Sequence, residues 1–226
     1  MKIVVTGATG LLSAELKKID DNIQLLDSIH FDITKKNTIL KIKEMNPDII
    51  IHAAAVTNSI NVKQNPVPAI QTNIIGTAYI SEYCIKNNIR LVYISTDYVY
   101  PGTKGNYIET DSLYPDNEYA WTKLGGECSV KLVPKHLIIR TSFGSTKYPY
   151  EYAWDNLITS KDYVDVIAPM IYKSSISSEI GILNIGTEPK SVYEYAKNRN
   201  SIKRGCATTN KNFSLNLEKY EKLFNN

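Results

Sequence analysis

A chain of 226 residues, 43% hydrophobic, with 26 basic against 23 acidic side chains and a net charge of +3, is long enough to bury one large core. Its lysines are scattered rather than clustered, which excludes a nucleic-acid or membrane-surface footprint and leaves small molecules or proteins as partners. Cys84, Cys128 and Cys206 are far apart, odd in number and without CxxC spacing, and the first residues carry neither a signal peptide nor a membrane-length apolar run; a cytoplasmic location and no bound metal are expected.

Short β-branched runs of strand length recur at residues 2–5, 23–26, 48–51, 91–94 and 136–139, as expected of strands covered on both faces. Between them lie helical patterns over 10–18, 34–45, 66–87 and 117–130. Asp32 or Thr34 can cap the second, and Asn46-Pro47 ends it. Strand alternating with helix implies right-handed crossovers and therefore an α/β fold, a doubly wound parallel sheet. Beyond Arg140 the pattern loosens into a Tyr-rich stretch to about Tyr152. It is followed by 162–173, an apolar run at 181–185, a short helix near 191–198 and a last one at 215–224. The expected organisation is one α/β domain over 1–145 and a small substrate-side elaboration over 146–226, interwoven with the same domain.

The run Thr6-Gly7-Ala8-Thr9-Gly10-Leu11-Leu12-Ser13 follows the first strand and opens the first helix, the context that a phosphate-binding turn requires. Gly7 permits the tight turn, and Gly10 lets helix N-terminal amides approach a pyrophosphate. Gly7, Thr9, Gly10, Leu11 and Leu12 are therefore candidate cofactor contacts, with Ser13 standing where a third glycine is usual. Asp27, 17 residues after Gly10, ends the second strand, where a carboxylate either accepts from the ribose hydroxyls of NAD and repels a 2′-phosphate or simply caps a turn. Asp32 and its neighbour Ile33 are candidates at the adenine. His52-Ala53-Ala54-Ala55 ends the third strand with side chains too small to fill space, as where backbone lies against a ligand. Asn73 is a polar residue on an apolar helix, placed to hold a kink, order a water or cap.

A Tyr and a Lys four residues apart on one helix can make a proton-transfer pair, and three such pairs exist: Tyr100/Lys104, Tyr119/Lys123 and Tyr193/Lys197. Pro101-Gly102 prevents a helix at the first, and no Ser/Thr-bearing strand end precedes the third. Tyr119/Lys123 follows Ser95-Thr96-Asp97, which lies beyond the fourth strand, where open α/β sheets bind ligands. In this arrangement Thr96 bonds a substrate oxygen, Tyr119 gives a proton, and Lys123 lowers the phenol and holds a ribose.

The Gly7/Gly10 turn, His52-Ala53-Ala54-Ala55, Asn73-Ile74-Ile75-Gly76-Thr77, the run from Ile94 through Ser95-Thr96-Asp97-Tyr98-Val99-Tyr100-Pro101 to Gly102, and Tyr119/Lys123 together resemble the extended short-chain dehydrogenase/reductase superfamily, within it the dTDP-4-dehydrorhamnose reductase type. The resemblance is strong over about 1–145 and looser beyond. It implies a Rossmann-type sheet with a small, shortened C-terminal substrate-binding region, because relatives are often longer after the position of Phe143. It also implies Thr96, Tyr119 and Lys123 as the catalytic set and NAD(H) or NADP(H) as cofactor, with Asp27 favouring NAD(H). The implied reaction is reduction of a 4-keto group on a nucleotide sugar, as in dTDP-rhamnose biosynthesis, in what is often a homodimer. Tyr98 in place of the Glu of the 4,6-dehydratases disfavours dehydration. Asp97, Arg140 and Phe143 (where a Trp is usual) are substrate-side candidates, Arg140 pairing either with a substrate phosphate or within the protein. Two other readings share the fold: a cofactor-binding regulatory subunit resembling the β subunit of methionine adenosyltransferase, and a sugar-nucleotide epimerase.

Overall fold

The computed structural model describes residues 1–224. Six parallel strands form the central sheet: β1 (Ile3–Thr6), β2 (Gln24–Leu26), β3 (Ile49–His52), β4 (Arg90–Ile94), β5 (His136–Thr141) and β6 (Gly181–Ile185). Their spatial order is β6-β5-β4-β3-β1-β2. Chain order therefore reverses between β1 and β3, and a crevice opens there beyond the carboxyl ends of the strands.

Alternating side chains explain why both faces are covered. Ile3, Val5, Ile49, Ile51, Val92 and Ile139 pack with Leu12 and Leu16 of α1 (Leu11–Ile19), and with Ile167 and Ile171 of a helix at Val164–Ser175. Val4, Ile50, Leu91, Tyr93 and Ile138 point the other way. They meet Ile80, Tyr83 and Cys84 of α2 (Thr77–Asn87) and Val130 of α3 (Glu118–Val130).

Two helical expectations are modified. The predicted helix over 34–45 is two short turns, Lys36–Ile39 and Ile42–Met45. Thr38 spends its hydroxyl on the Asp32 and Lys35 carbonyls, the local side-chain bonding that competes with a continuous helix. Asp32 accepts from Thr34 ahead of the first turn, and Asn46 ends the second in the left-handed conformation. The predicted helix over 66–87 contains a π-helical stretch, Ile70–Gly76, before α2 begins.

The chain beyond residue 145 contributes to two places. The helix Val164–Ser175, which we label α4, and β6 join the main layers. Short strands build a cap: Leu157–Thr159 pairs with Lys190–Ser191 and Lys211–Asn212, Tyr152–Trp154 with Lys203–Gly205, and Phe143–Gly144 with Asp162–Tyr163. A capping box at Ser191 and Glu194 starts the short helix Val192–Lys197. No helix among the described residues is long and apolar enough to cross a membrane.

Candidate active site

The β1 turn is built by absence of side chain. Gly7 has φ +82°, and a Cβ there would lie 2.9 Å from the backbone N and Cα of Ala54, so both the left-handed backbone and the close approach of the β1 and β3 ends require glycine. Its carbonyl receives the Gly10 amide at 2.9 Å and the buried Ser13 hydroxyl at 2.7 Å. Ser13 thus closes the turn that the sequence left short of its third glycine. Gly10 caps α1 without any side-chain bond, so the first amides of a nine-residue helix face the crevice uncapped by side chains.

A directed chain of hydrogen bonds ties this turn to the helices opposite. Ala54 N–H donates to Thr6 Oγ1 (3.2 Å), which donates to His52 Nδ1 (2.7 Å). His52 Nε2 then meets Thr77 Oγ1 (3.0 Å), whose own proton goes to the Asn73 carbonyl (2.7 Å). Because that single hydroxyl proton is committed, His52 must carry its proton on Nε2. Burial and the charge of Lys123 hold His52 down to about 3, so the ring is neutral. Asn73 pairs with both the amide and carbonyl of Val56 (2.8 and 3.0 Å) and donates to Thr122 Oγ1 (2.8 Å) on α3. Thr122 in turn donates to the carbonyl of Tyr119 at 2.7 Å. Gly126 lets α3 close on the π segment, since a Cβ there would lie 2.7 Å from the Asn73 carbonyl.

Tyr119 and Lys123 lie one turn apart on α3, started by Asn117, whose side chain accepts the Ala120 amide. They line a cavity of about 510 Å³ together with Gly7, Thr9, Gly10, Leu11, Leu12, Ala53, Ala55, Thr96 and Phe143. Lys123 is buried, its Nζ 4.0 Å from the Tyr93 ring centroid, and burial holds its ammonium down to about 7 against the upward pull of Glu127. Burial and the Asp97 charge push the Tyr119 phenol up, partly offset by a hydrogen bond with the Thr96 side chain. The spacing of Tyr119 and Lys123 alone had suggested a lowered phenol. In the folded chain the surroundings keep the phenol protonated, the form that donates.

Residues 1–169 match the family described as the RmlD substrate binding domain, three quarters of the chain. The chain belongs to the RmlD family. A dTDP-4-dehydrorhamnose reductase of Aggregatibacter actinomycetemcomitans is 32% identical over 189 residues, 79% of this chain and 64% of that protein. The chain thus spans less than two thirds of that curated relative. Among solved structures, a hypothetical dTDP-4-dehydrorhamnose reductase from Sulfolobus tokodaii superposes with a TM-score of 0.88 at 25% identity, covering 99% of this chain and 95% of that one. A dTDP-4-dehydrorhamnose reductase from Bacillus anthracis, in complex with NADP, gives 0.85 at 27% identity over 95% and 90%.

Several residues singled out in the sequence of this RmlD-family chain lie elsewhere. Arg140 is buried beneath the cavity. Its guanidinium forks onto both Glu127 oxygens (3.2 and 2.8 Å) and donates to Tyr100 Oη and the Glu109 carbonyl, so four of its five N–H donors, and its charge, are engaged within the protein. Ile33 is core, packed against Gly76. Asp32 is occupied by Thr34 and Lys35. Asp27 accepts from the amides of Ile29 and His30 in its own turn, with part of its carboxylate still exposed. Ala54 and Asn73 stand behind the cavity wall rather than on it. Asp97 is buried directly under Thr96. Sequence reasoning missed Ser13, Tyr98, Thr141 and Lys161, which do line the cavity. Lys161 arrives from the strand pair joining Phe143–Gly144 to Asp162–Tyr163, a contact with no local sequence signal.

Proposed function

We propose that this chain is an NAD(P)H-dependent reductase of the 4-keto group on a nucleotide-activated deoxy sugar, of which dTDP-4-dehydrorhamnose is the first to test. The observation that carries the reading is the convergence of the Thr96 hydroxyl, Tyr119 phenol and Lys123 ammonium on one cavity with the Gly7/Gly10 turn. The residues fit a dinucleotide. The uncapped α1 amides and side-chain-free Gly7 suit a pyrophosphate, and Ala53 and Ala55 leave room for a flat group. Thr141, 2% exposed on the same cavity, has a hydroxyl with no partner among the described residues, a polar atom suited to bond a ligand. Gly7, Thr9, Gly10, Leu11, Leu12, Ala53, Ala55 and Lys123 would hold the cofactor. Residues 1–145 carry the nucleotide side, and the cap beyond them carries the sugar side.

Reduced nicotinamide, when bound, supplies the hydride. The protein's part is to grip the ketone oxygen with Thr96 and Tyr119 and to protonate the alkoxide that forms. A raised phenol suffices for that transfer, because an alkoxide is a far stronger base than a phenolate. Lys123, one helical turn from Tyr119 and held down to about 7 by burial, is in its ammonium form the cation that stabilises the negative charge left on Tyr119. Phe143 lines the sugar side with apolar surface and no donor.

Mixing the protein with NADH or NADPH and dTDP- or UDP-4-keto-6-deoxy sugars, and following loss of nicotinamide absorbance, tests the reading. Turnover supports it; cofactor binding without turnover across such sugars sinks it. The partly exposed Asp27 carboxylate belongs to the same proposal as the element favouring NADH, to be checked by comparing the affinity of the two cofactors for wild type and Asp27→Ala.

A further inference from the structure

Tyr119, Lys123 and Glu127 follow one another at four-residue spacing on α3, so their side chains share one stripe of the helix. The first two line the cavity, and Glu127, 4% exposed, lies one turn further along. Its hydrogen bonds run to the strands that carry the rest of the site. Ser95, the neighbour of Thr96 at the end of β4, donates its hydroxyl to Oε1 at 2.5 Å. Arg140 of β5 donates to Oε1 and Oε2 at 3.2 and 2.8 Å. β4 grips the same helix a second time through Tyr93, two residues before Ser95 and on the same face, whose Oη donates to the Lys123 carbonyl at 3.2 Å. Gly126 leaves that joint no slack, since a Cβ there would collide with Tyr93 Oη.

A buried ion pair is weak evidence for stability, because the desolvation of two charges offsets their attraction. What it supplies here is a directional joint between a helix and two strands. We propose that Glu127 is a positioning residue of the reductase reaction: it holds the Tyr119 and Lys123 stripe of α3 against the end of β4 that carries Thr96, and it sets a carboxylate one turn from the Lys123 ammonium. The proposal rests on the reductase reading above. The phenol and the Thr96 hydroxyl belong to different elements, so their shared grip on one ketone oxygen depends on how α3 is seated, and a misplacement of about 1 Å costs up to about 10²-fold.

The carboxylate also acts by its charge. Lys123 is faced by Tyr119 and Glu127 from α3, by the Tyr93 ring of β4, and by His52 of β3, which packs on that ring. Both phenols are pushed up and His52 is held down to about 3, so these three groups are neutral near pH 7. Glu127, shared with Arg140, is the anion that opposes burial at Lys123. Without it the ammonium gives up its proton at lower pH, and activity falls away earlier on the alkaline side.

The test uses the full chain as wild type, Glu127→Gln, Glu127→Asp and Ser95→Ala. Glu127→Gln keeps an acceptor for Ser95 and removes the charge. Glu127→Asp keeps the charge on a side chain one methylene shorter, and Ser95→Ala cuts the tie to β4 while leaving the Arg140 pair whole. In ligand-free protein the 13Cε resonance of Lys123, identified by its loss in Lys123→Arg, should titrate near about 7 in wild type and about one pH unit lower in Glu127→Gln. With cofactor and a 4-keto sugar, the alkaline limb of kcat should move down equally in Glu127→Gln and keep its place in the other two variants. Those two should instead lose about 10-fold in kcat, with KM and cofactor affinity held within about twofold. A role confined to stability would lower the melting temperature of the variants and leave resonance, limb and kcat unmoved, and that result overturns the proposal. So does a raised KM with kcat held in Ser95→Ala, which would mark a direct ligand contact of that hydroxyl instead of a joint. Should Glu127→Gln not fold, the split of kcat against KM in Ser95→Ala decides. Failure of wild type to turn over any 4-keto sugar removes the reductase reading and this role with it, whereas turnover by wild type with the variants unmoved removes the role alone.

Discussion

The two walls of the cavity are made by opposite means. On the β1 and β3 side the working surface is backbone, with Gly7, Gly10, Ala53 and Ala55 supplying amides and space. On the β4 and α3 side it is side chain, with Thr96, Tyr119 and Lys123 at the surface and Asp97 beneath. The first wall acts by shape and fixed dipoles, which do not titrate. The second acts through groups that burial has displaced from their ordinary protonation, Tyr119 answering to Asp97 and Lys123 to Glu127. Under the proposed function the first is the binding wall and the second the reacting wall, and the two fail differently when a single atom is changed.

The largest expected effect is on the reacting wall. Tyr119→Phe removes one oxygen from a half-buried ring and should lower kcat by about 10² to 10⁴, with the melting temperature and cofactor affinity held. Steady-state kinetics beside a cofactor titration measures this, and equal loss of cofactor binding would erase the distinction between the walls. Glu127→Ala follows, acting from below. It leaves the Arg140 guanidinium, 2% exposed, and the Ser95 hydroxyl without their acceptor. Loss of about 3–5 kcal/mol is expected from stranding a buried charge. Denaturant unfolding reads this directly, and a change under about 1 kcal/mol would mean that Arg140 finds water or another acceptor.

What could be read in the sequence follows the same division. The binding wall was legible because glycine and alanine report backbone geometry at their own positions, and the sheet because β-branched runs report burial on two faces. Tyr119 and Lys123 were legible since one helical turn relates them. Arg140 was ambiguous, for its partner Glu127 stands on a helix whose rotation the sequence does not state. Lys161 and Thr159 were invisible; only the folded cap brings them to Asp97. The π segment escaped because it differs from an α-helix by a single residue of register. It has a consequence, since Asn73 lies within it and clamps Val56 behind one wall to Thr122 on the other.

On the binding wall, Gly7→Ala should act through two costs. An alanine at φ +82° is strained by about 1–2 kcal/mol, and its Cβ would press on Ala54 backbone, which cannot rotate away as a side chain could. Cofactor affinity should fall along with stability, because the β1 and β3 ends must part. Isothermal titration together with thermal unfolding checks both, and a variant that is destabilised but still binds cofactor as tightly as wild type would show that the turn does not shape the site.

The last effect, spread over about two pH units, tests the joint between the walls. His52 is neutral in the folded protein because its group is lowered to about 3, whereas in the unfolded chain it titrates near its ordinary 6.5. Above that value neither state binds the proton and stability is unaffected. As pH falls below 6.5 the unfolded chain takes up a proton that the folded chain refuses, so stability declines by up to about 1.4 kcal/mol per pH unit. Buried carboxylates and paired acids complicate the range below about pH 4.5, so the window to measure is from about 6.5 to 4.5. His52→Gln keeps an amide donor toward Thr77 and removes the titration. Its unfolding free energy should start lower than wild type at pH 8 and decline less steeply through that window. Parallel slopes would mean that the ring accepts its proton in place, with the Thr6 and Thr77 hydroxyls turning to suit, and that the joint is softer than its committed hydrogen bonds require.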